Sequence, residues 1–288
     1  MSKHISAPSS FRAGVEDRKE GPPRIAASSY LNTVPLIWSF IYGTRQREVE
    51  LVTDTAPARC AEMLADREVE AALVPVIEYQ RIADLAIVPG VCVGSRSKVR
   101  SVVLVMRDEL DDLRKVRTVA LDISSRTSAA LIQIIFREFL GVEPEWTERA
   151  PDVARMLETA DAALVIGDPG MTFSRARILV YDLAELWRAY TGLGFVFAMW
   201  MARVRDMERV QKIDFAGARE EGLKHVGEIA SLYSPEVGLP PEEIRSYLLE
   251  NISFELDEEM SAGLALFYRL AQKHGIIQDV RPLKMMPA

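Results

Sequence analysis

A short apolar segment runs directly into a cluster of hydroxyl side chains in the stretch Thr118-Val-Ala-Leu-Asp-Ile-Ser-Ser-Arg-Thr-Ser128. After it, apolar residues recur at the spacing of one helix face, and Gly141 is suited to end that helix in a left-handed conformation. That face consists of Ile132, Ile135, Phe136, Phe139 and Leu140. The stretch therefore predicts a buried strand, a polar loop and an amphipathic helix in succession.

The same order of features occurs 94 residues earlier, where Arg24-Ile-Ala-Ala27 and a polar cluster precede Pro35-Leu-Ile-Trp-Ser-Phe40. A second similarity supports the first, because Glu70-Ala-Ala-Leu-Val74 recurs 91 residues later as Asp161-Ala-Ala-Leu-Val165. One such similarity alone could arise by chance between apolar strands. Two at nearly equal offsets indicate a duplicated β-α-β-α-β unit, with strands covered on both faces as in α/β sheets.

Two extended segments, 100–106 and 194–200, flank the second unit and are predicted to be strands that cross between two lobes. Met260, Leu264, Phe267 and Ala271 predict a helix near the C-terminus, within the first lobe. The predicted organisation is a disordered N-terminal tail over 1–23, lobe I over 24–106 and 195–288, and lobe II over 107–194. Two lobes joined twice enclose a cleft.

Composition and charge exclude several classes of protein. Among the 288 residues, 35 Lys and Arg oppose 42 Asp and Glu, so the net charge of −7 argues against a nucleic-acid or membrane partner. The two cysteines, Cys60 and Cys92, form no CxxC pair, and the three histidines have no metal-ligand spacing, so no metal centre is expected. No secretory signal or membrane-spanning run is present, which predicts a soluble, cytoplasmic protein.

The polar loops of the two units are the predicted ligand-binding elements. In open α/β sheets, ligands bind beyond the carboxyl ends of the strands, where helix N-termini offer free N–H groups. Segments 28–33 and 124–128 would face each other there, which favours a small molecule with two separated acidic or polar ends. A helix N-cap alone needs one hydroxyl, whereas the second loop carries four in five residues.

Single residues in these loops leave two interpretations open. Arg126 is either a ligand clamp or a surface charge, and Asn32, shortly before Pro35, is either a functional amide or a turn residue. Asp168 either reaches the edge of the cleft or forms an Asx-turn before Pro169. Neither a catalytic triad nor a Gly-rich phosphate loop is present. From the residues alone, the prediction is a two-lobed protein that binds a small molecule.

These loops also resemble a known family, the MqnA chorismate dehydratases of the futalosine route to menaquinone. The resemblance covers residues 24 to about 280 and is most specific in the two polar loops. Its matching words, in the family's order, are Arg24-Ile-Ala-Ala-Ser-Ser-Tyr-Leu-Asn-Thr-Val-Pro-Leu36, Leu73-Val-Pro-Val-Ile-Glu-Tyr79, Val119-Ala-Leu-Asp-Ile-Ser-Ser-Arg-Thr-Ser128, Ile166-Gly-Asp168 and Thr191-Gly-Leu-Gly-Phe-Val-Phe-Ala198.

The resemblance implies a periplasmic-binding-protein type 2 fold that acts as a cofactor-independent carbon-oxygen lyase. The implied reaction converts chorismate to 3-[(1-carboxyvinyl)oxy]benzoate and water, with the substrate's own enolpyruvyl carboxylate taking the proton. Asn32 is then the implied catalytic residue, which orients the reacting group. The implied substrate-binding residues are Ser29, Tyr30, Thr33, Ser125, Arg126, Thr127, Ser128 and Asp168.

Three other functions are compatible with such a fold. The sister MqnD family, the 1,4-dihydroxy-6-naphthoate synthases, uses a histidine in its cleft, and His225 and His274 fall outside the repeat loops here. A non-catalytic small-anion-binding protein that serves a transporter would carry a signal peptide. The effector domain of a transcription regulator would need a DNA-binding module, which residues 1–23 are too short to form.

Overall fold

The computed structural model describes residues 21–287, so residues 1–20 of the predicted tail lie outside the described residues. The strands are β1 (Arg24–Ser28), β2 (Glu50–Asp54), β3 (Ala71–Pro75), β4 (Leu85–Ser95), β5 (Val102–Arg107), β6 (Thr118–Asp122), β7 (Glu145–Arg149), β8 (Ala162–Ile166), β9 (Ile178–Asp182) and β10 (Phe195–Arg203). The helices are α1 (Val34–Ile41), α2 (Pro57–Ala65), α3 (Glu78–Arg81), α4 (Thr127–Ile134), α5 (Val153–Thr159), α6 (Pro169–Thr172), α7 (Leu183–Thr191), α8 (Met207–Val210), α9 (Phe215–Lys224), α10 (Val226–Val237), α11 (Pro241–Ser246) and α12 (Glu258–Lys273).

The strands form two five-stranded mixed sheets of the same design. Their orders are β2-β1-β3-β10-β4 and β7-β6-β8-β5-β9. In each, the first three strands are parallel and the fourth is antiparallel to the third. The duplicated unit and the two lobes predicted from the sequence are therefore present.

The two crossings between sheets differ from the prediction. The strand predicted at 100–106 is β5, and it pairs with β8 and β9 in the second sheet. It therefore belongs to the second lobe, and the boundary drawn at 107 is wrong. The chain crosses instead through residues 96–101 and returns through 192–194, between α7 and β10. The carboxylate of Asp182 fixes the first crossing by accepting hydrogen bonds from the backbone N–H groups of Val99 (3.2 Å) and Arg100 (2.6 Å).

The helix predicted after the hydroxyl-rich loop is confirmed. Helix α4 continues as a π-helical segment, Ile135–Leu140, and ends at Gly141, whose φ of 68° is the left-handed conformation that glycine adopts without strain. Ile132, Ile135 and Phe136 are fully buried beneath it. The central strands β3 and β8 are buried along their whole length, as expected where helices cover both faces of a sheet.

The C-terminal helix is also confirmed, as α12, and it packs against both β10 and α4. It therefore contacts both lobes on the side of the crossings. Gly263 allows this approach, because a Cβ atom there would collide with the backbone oxygen of Gly194. Within residues 21–287, none of the helices is both long and apolar enough to cross a membrane.

Candidate active site

A cavity lies between the two sheets at the carboxyl ends of β1, β3, β6 and β8. Its empty space is about 580 Å³, including the solvent at its mouth. Ser28, Pro75 and Ile166 end three of these strands, and each lines the cavity. This is the crevice in which α/β sheets bind ligands.

The first polar loop contributes Tyr30, Asn32 and Thr33 to the wall. Asn32 is half-buried, and its side-chain oxygen is 3.4 Å from the Thr33 hydroxyl. The Thr33 hydroxyl also shares a 2.9 Å hydrogen bond with Ser28, which anchors the loop to the end of β1. Burial raises the pKa of the Tyr30 hydroxyl above its ordinary value, so this group is a neutral donor at physiological pH.

Two neighbouring serines in the second loop have different surroundings. The Ser124 hydroxyl donates to the buried Asp122 carboxylate at 2.6 Å and is 3.4 Å from the Tyr30 hydroxyl of the other lobe. The Ser125 hydroxyl is buried, lines the cavity and has no hydrogen-bond partner among the described residues. Buried hydroxyls are usually partnered, so Ser125 is a donor available to a ligand in the cavity.

Helix α4 begins at this loop, but none of the loop hydroxyls caps it. Arg126 occupies the N-cap position and makes no side-chain cap bond. The Thr127 hydroxyl instead accepts a 3.3 Å hydrogen bond from the backbone N–H of Ile77 in the first lobe. The first N–H groups of a helix have no intrahelical acceptor. Because Thr127 and Ser128 line the cavity, the N–H groups at the start of α4 and the buried Ser128 hydroxyl are donors for a ligand there.

Arg126 lines the cavity, yet its guanidinium is bound by two carboxylates of the first lobe. It contacts Glu78 at 3.0 Å and Glu62 at 2.8 Å. Glu78 is only 2% exposed and also pairs with Arg81 at 3.0 Å. Glu62 likewise pairs with Arg59 at 3.0 Å, so these carboxylates are shared and compensate the charge of Arg126 in part.

Asp168 lies beside the cavity rather than on its lining. Both carboxylate oxygens accept from the backbone N–H of Leu31 in the other lobe, at 3.1 and 3.4 Å. Burial raises the pKa of this carboxyl to about 6. Asp168 also occupies the N-cap position of α6 but makes no side-chain cap bond.

The rest of the wall is apolar. Among the residues that the structure describes, no Asp, Glu, His or Lys side chain lines the cavity. Nor do three His, Cys, Asp or Glu side chains within residues 21–287 come together as a potential metal site. The apolar lining consists of Pro57, Leu73, Pro75, Val93, Val99, Val102, Ile166, Phe197 and Ala198.

A comparison with protein families finds that residues 23–273 match the model described as menaquinone biosynthesis. The chain belongs to the menaquinone biosynthesis family. The match spans both lobes and includes both polar loops of the cavity, so the family resemblance predicted from those loops is confirmed.

Individual relatives agree with this family. A chorismate dehydratase of Thermus thermophilus is 29% identical over 235 residues, which cover 75% of this chain and 84% of that protein. The aliphatic sulphonate binding protein SsuA of Escherichia coli has a similar structure, with a TM-score of 0.62 at 17% identity over 93% of this chain and 95% of that one. A Candida albicans protein with the generic periplasmic binding protein fold also aligns, with a TM-score of 0.62 at 12% identity over 91% and 92% of the two chains. The predicted fold class is confirmed.

The family's two polar loops meet at the cavity, but two predicted residues do not line it. Ser29 is exposed and lies outside the wall, because successive side chains of a strand point to opposite faces and Ser28 takes the inward position. Asp168 is replaced on the lining by its neighbour Gly167. Ser28 lies in the predicted first polar loop but was given no role of its own, and Glu62 and Glu78 were not predicted. Of these, Glu78 had a signal, since a carboxylate follows directly after the apolar strand β3 and its apolar continuation.

Proposed function

We propose that this protein is a chorismate dehydratase, a hydro-lyase that forms 3-[(1-carboxyvinyl)oxy]benzoate and water. The observation that carries the proposal is a cavity whose apolar walls are flanked by neutral hydrogen-bond donors from both lobes. Chorismate has a matching character, since a flat apolar ring carries one carboxylate directly and a second on its enolpyruvyl group. The family and the Thermus thermophilus relative support the same activity.

The reaction requires a proton acceptor and orientation. A ring C–H bond breaks and its electron pair forms the last ring double bond, while the neighbouring C–O bond breaks and the hydroxyl leaves. No carboxylate or imidazole of the described residues lines the cavity. We therefore assign the proton to the substrate's enolpyruvyl carboxylate, which passes it to the departing hydroxyl so that water is released. A carboxylate is a weak base and becomes effective here through its position.

The chain's residues then bind and orient. Asn32 orients the reacting group from the first lobe. Ser125 and Ser128, with the N–H groups at the start of α4, hold a carboxylate from the second lobe. Tyr30 and Thr33 complete the polar wall, while Arg126 and Thr127 hold the lobes together at its edge. No cofactor is needed for this chemistry, and the cytoplasmic location predicted from the sequence stays a prediction.

The test is incubation of the purified protein with chorismate, followed by mass spectrometry. We expect a product lighter by one water, formed without added metal or cofactor. A protein that binds chorismate but does not convert it would instead be a binding protein of the same fold. The sister MqnD activity is disfavoured because His225 and His274 contact Glu228 and Glu138, and neither lines the cavity.

A further inference from the structure

Asp168 makes its principal side-chain contact with the opposite lobe. Its position before Pro169 allows a local cap on α6, but the carboxylate makes no such bond. Both oxygens instead accept from the backbone N–H of Leu31, 137 residues away in the sequence. An Asx-turn would use the side chain within its own loop, so that interpretation of Asp168 does not hold.

The preceding residue, Gly167, allows the first lobe to approach closely at the same place. Gly167 has a φ of 67°, and a Cβ atom there would lie 2.7 Å from three atoms of the Tyr30 ring. The Tyr30 hydroxyl also reaches Ser124, at 3.4 Å, on the loop after β6. Tyr30 and Leu31 therefore dock together onto Gly167 and Asp168, and the docked segment leads directly into Asn32.

We propose that Asp168 is a positioning residue for the reaction, which holds Asn32 in its working position by accepting the Leu31 N–H group across the cleft. This inference rests on the proposed function, because it assigns Asp168 a part in the same site. Asp168 does not act as the base. It is outside the cavity lining, and both of its oxygens face a backbone donor rather than the space where a substrate would bind.

The contact links this loop to the other lobe, whereas bonds such as Ser28–Thr33 at 2.9 Å and Thr33 N–H to the Tyr30 carbonyl at 2.8 Å hold it within the first lobe. The Leu31 N–H group lies in a turn between β1 and α1, and its acceptor comes from the other lobe. The bond therefore forms only when the lobes are together. Closure of the cleft and placement of the Asn32 amide become one event, which orders the orienting group when substrate is enclosed.

The experiment compares Asp168→Ala with Asp168→Asn in steady-state kinetics and in hydrogen-deuterium exchange at the Leu31 amide. Alanine removes the acceptor, whereas the asparagine oxygen can still accept the bond. One lost hydrogen bond corresponds to about a three- to tenfold effect. We expect Asp168→Ala to lower kcat by that factor, with a smaller rise in KM, and to speed exchange at Leu31. Asp168→Asn should restore most of both values.

Asp152→Ala is the matched control. Asp152 also occupies the N-cap position of a short helix of the second lobe, but its carboxylate does cap that helix, accepting from the backbone N–H of Arg155 at 3.2 Å. It should change neither kcat nor exchange at Leu31. If Asp168→Ala does not fold, Asp168→Ser takes its place. The serine side chain is also too short to accept from the Leu31 N–H group, and it is less apolar than alanine.

Two results would overturn the proposal. Equal loss of activity in the Ala and Asn variants would make Asp168 a base, and unchanged Leu31 exchange in Asp168→Ala would show that the bond does not hold the loop. Failure of the proposed function is distinguishable, because wild-type protein would then form no product from chorismate. The exchange measurement would still report whether Asp168 positions the segment before Asn32.

Discussion

Replacement of Ser125 by alanine should have opposite effects on stability and on binding. The Ser125 side chain is buried, with the residue 6% exposed, and its hydroxyl has no partner among the described residues. A buried, unpartnered polar group costs about 1–3 kcal/mol. Ser125→Ala should therefore raise the free energy of unfolding by about 1 kcal/mol, which corresponds to a rise in Tm of about 2 °C for a chain of this size.

Binding should weaken in the same variant. A hydrogen bond to a charged group contributes about 1.5–3 kcal/mol, so loss of the Ser125 donor should raise the Kd for the product by roughly ten- to a hundredfold. Differential scanning calorimetry of the free protein measures the first effect. Isothermal titration calorimetry with 3-[(1-carboxyvinyl)oxy]benzoate measures the second. The combination is typical of a residue retained for function at the expense of stability.

Ser124→Ala provides the control, because the adjacent hydroxyl is already bonded. Its loss removes the 2.6 Å bond to the buried Asp122 carboxylate. We expect Tm to fall in this variant, since Asp122 keeps only its backbone donors from Ser124 and Ile166. The reasoning is refuted if Ser125→Ala lowers Tm as Ser124→Ala does, or if it leaves product affinity unchanged.

Three further variants test the site. Asn32→Ala should lower kcat more than it raises KM, because an orienting group contributes mainly in the transition state, and steady-state kinetics measure this. Gly167→Ala should lower Tm and activity together. A residue with a Cβ atom is strained at the φ of 67° found here, and that Cβ would lie 2.7 Å from the Tyr30 ring. A normal melting curve would contradict this prediction. Burial raises the pKa of the Asp168 carboxyl from 3.8 to about 6. The folded protein therefore binds this proton more tightly than the unfolded chain does. As a result, this group favours folding increasingly as pH falls through 6. Asp168→Asn should therefore be the more stable protein at pH 7.5, by at most about 3 kcal/mol, and calorimetry should show the difference shrinking by pH 4.5.

The elements that the sequence predicts well are those with strong local patterns. The strand, polar loop and helix between Thr118 and Gly141 are predicted by an apolar run, a hydroxyl cluster, a helical apolar stripe and a terminal glycine, all within about 24 residues. The position of β5 did not follow, because an apolar strand carries no local information on which sheet it pairs with. Its antiparallel partners β8 and β9 lie more than 50 residues further along the chain.

The site divides in the same way. Both polar loops were predicted, because strand ends and helix starts meet at one edge of a parallel sheet. The structure places Ser28 on the cavity wall where Ser29 was predicted, a shift of one residue that reverses the direction of a side chain at the end of a strand. Contacts such as Leu31 with Asp168 depend on how two lobes pack, and no spacing in the sequence specifies that.

The pairing of Arg126 bears on how a substrate carboxylate acts as the base. A free guanidinium beside that carboxylate would favour its charged form, lower its pKa and make it a poorer proton acceptor. Here Glu78 and Glu62 hold the guanidinium at 3.0 and 2.8 Å, so its charge is compensated in part by the first lobe. The remaining donors on the wall are neutral hydroxyl and N–H groups, which can fix a carboxylate in place while lowering its basicity less than a full positive charge would. The same ion pairs join the lobes, so the charge of Arg126 is shared with first-lobe carboxylates at the edge of the cavity.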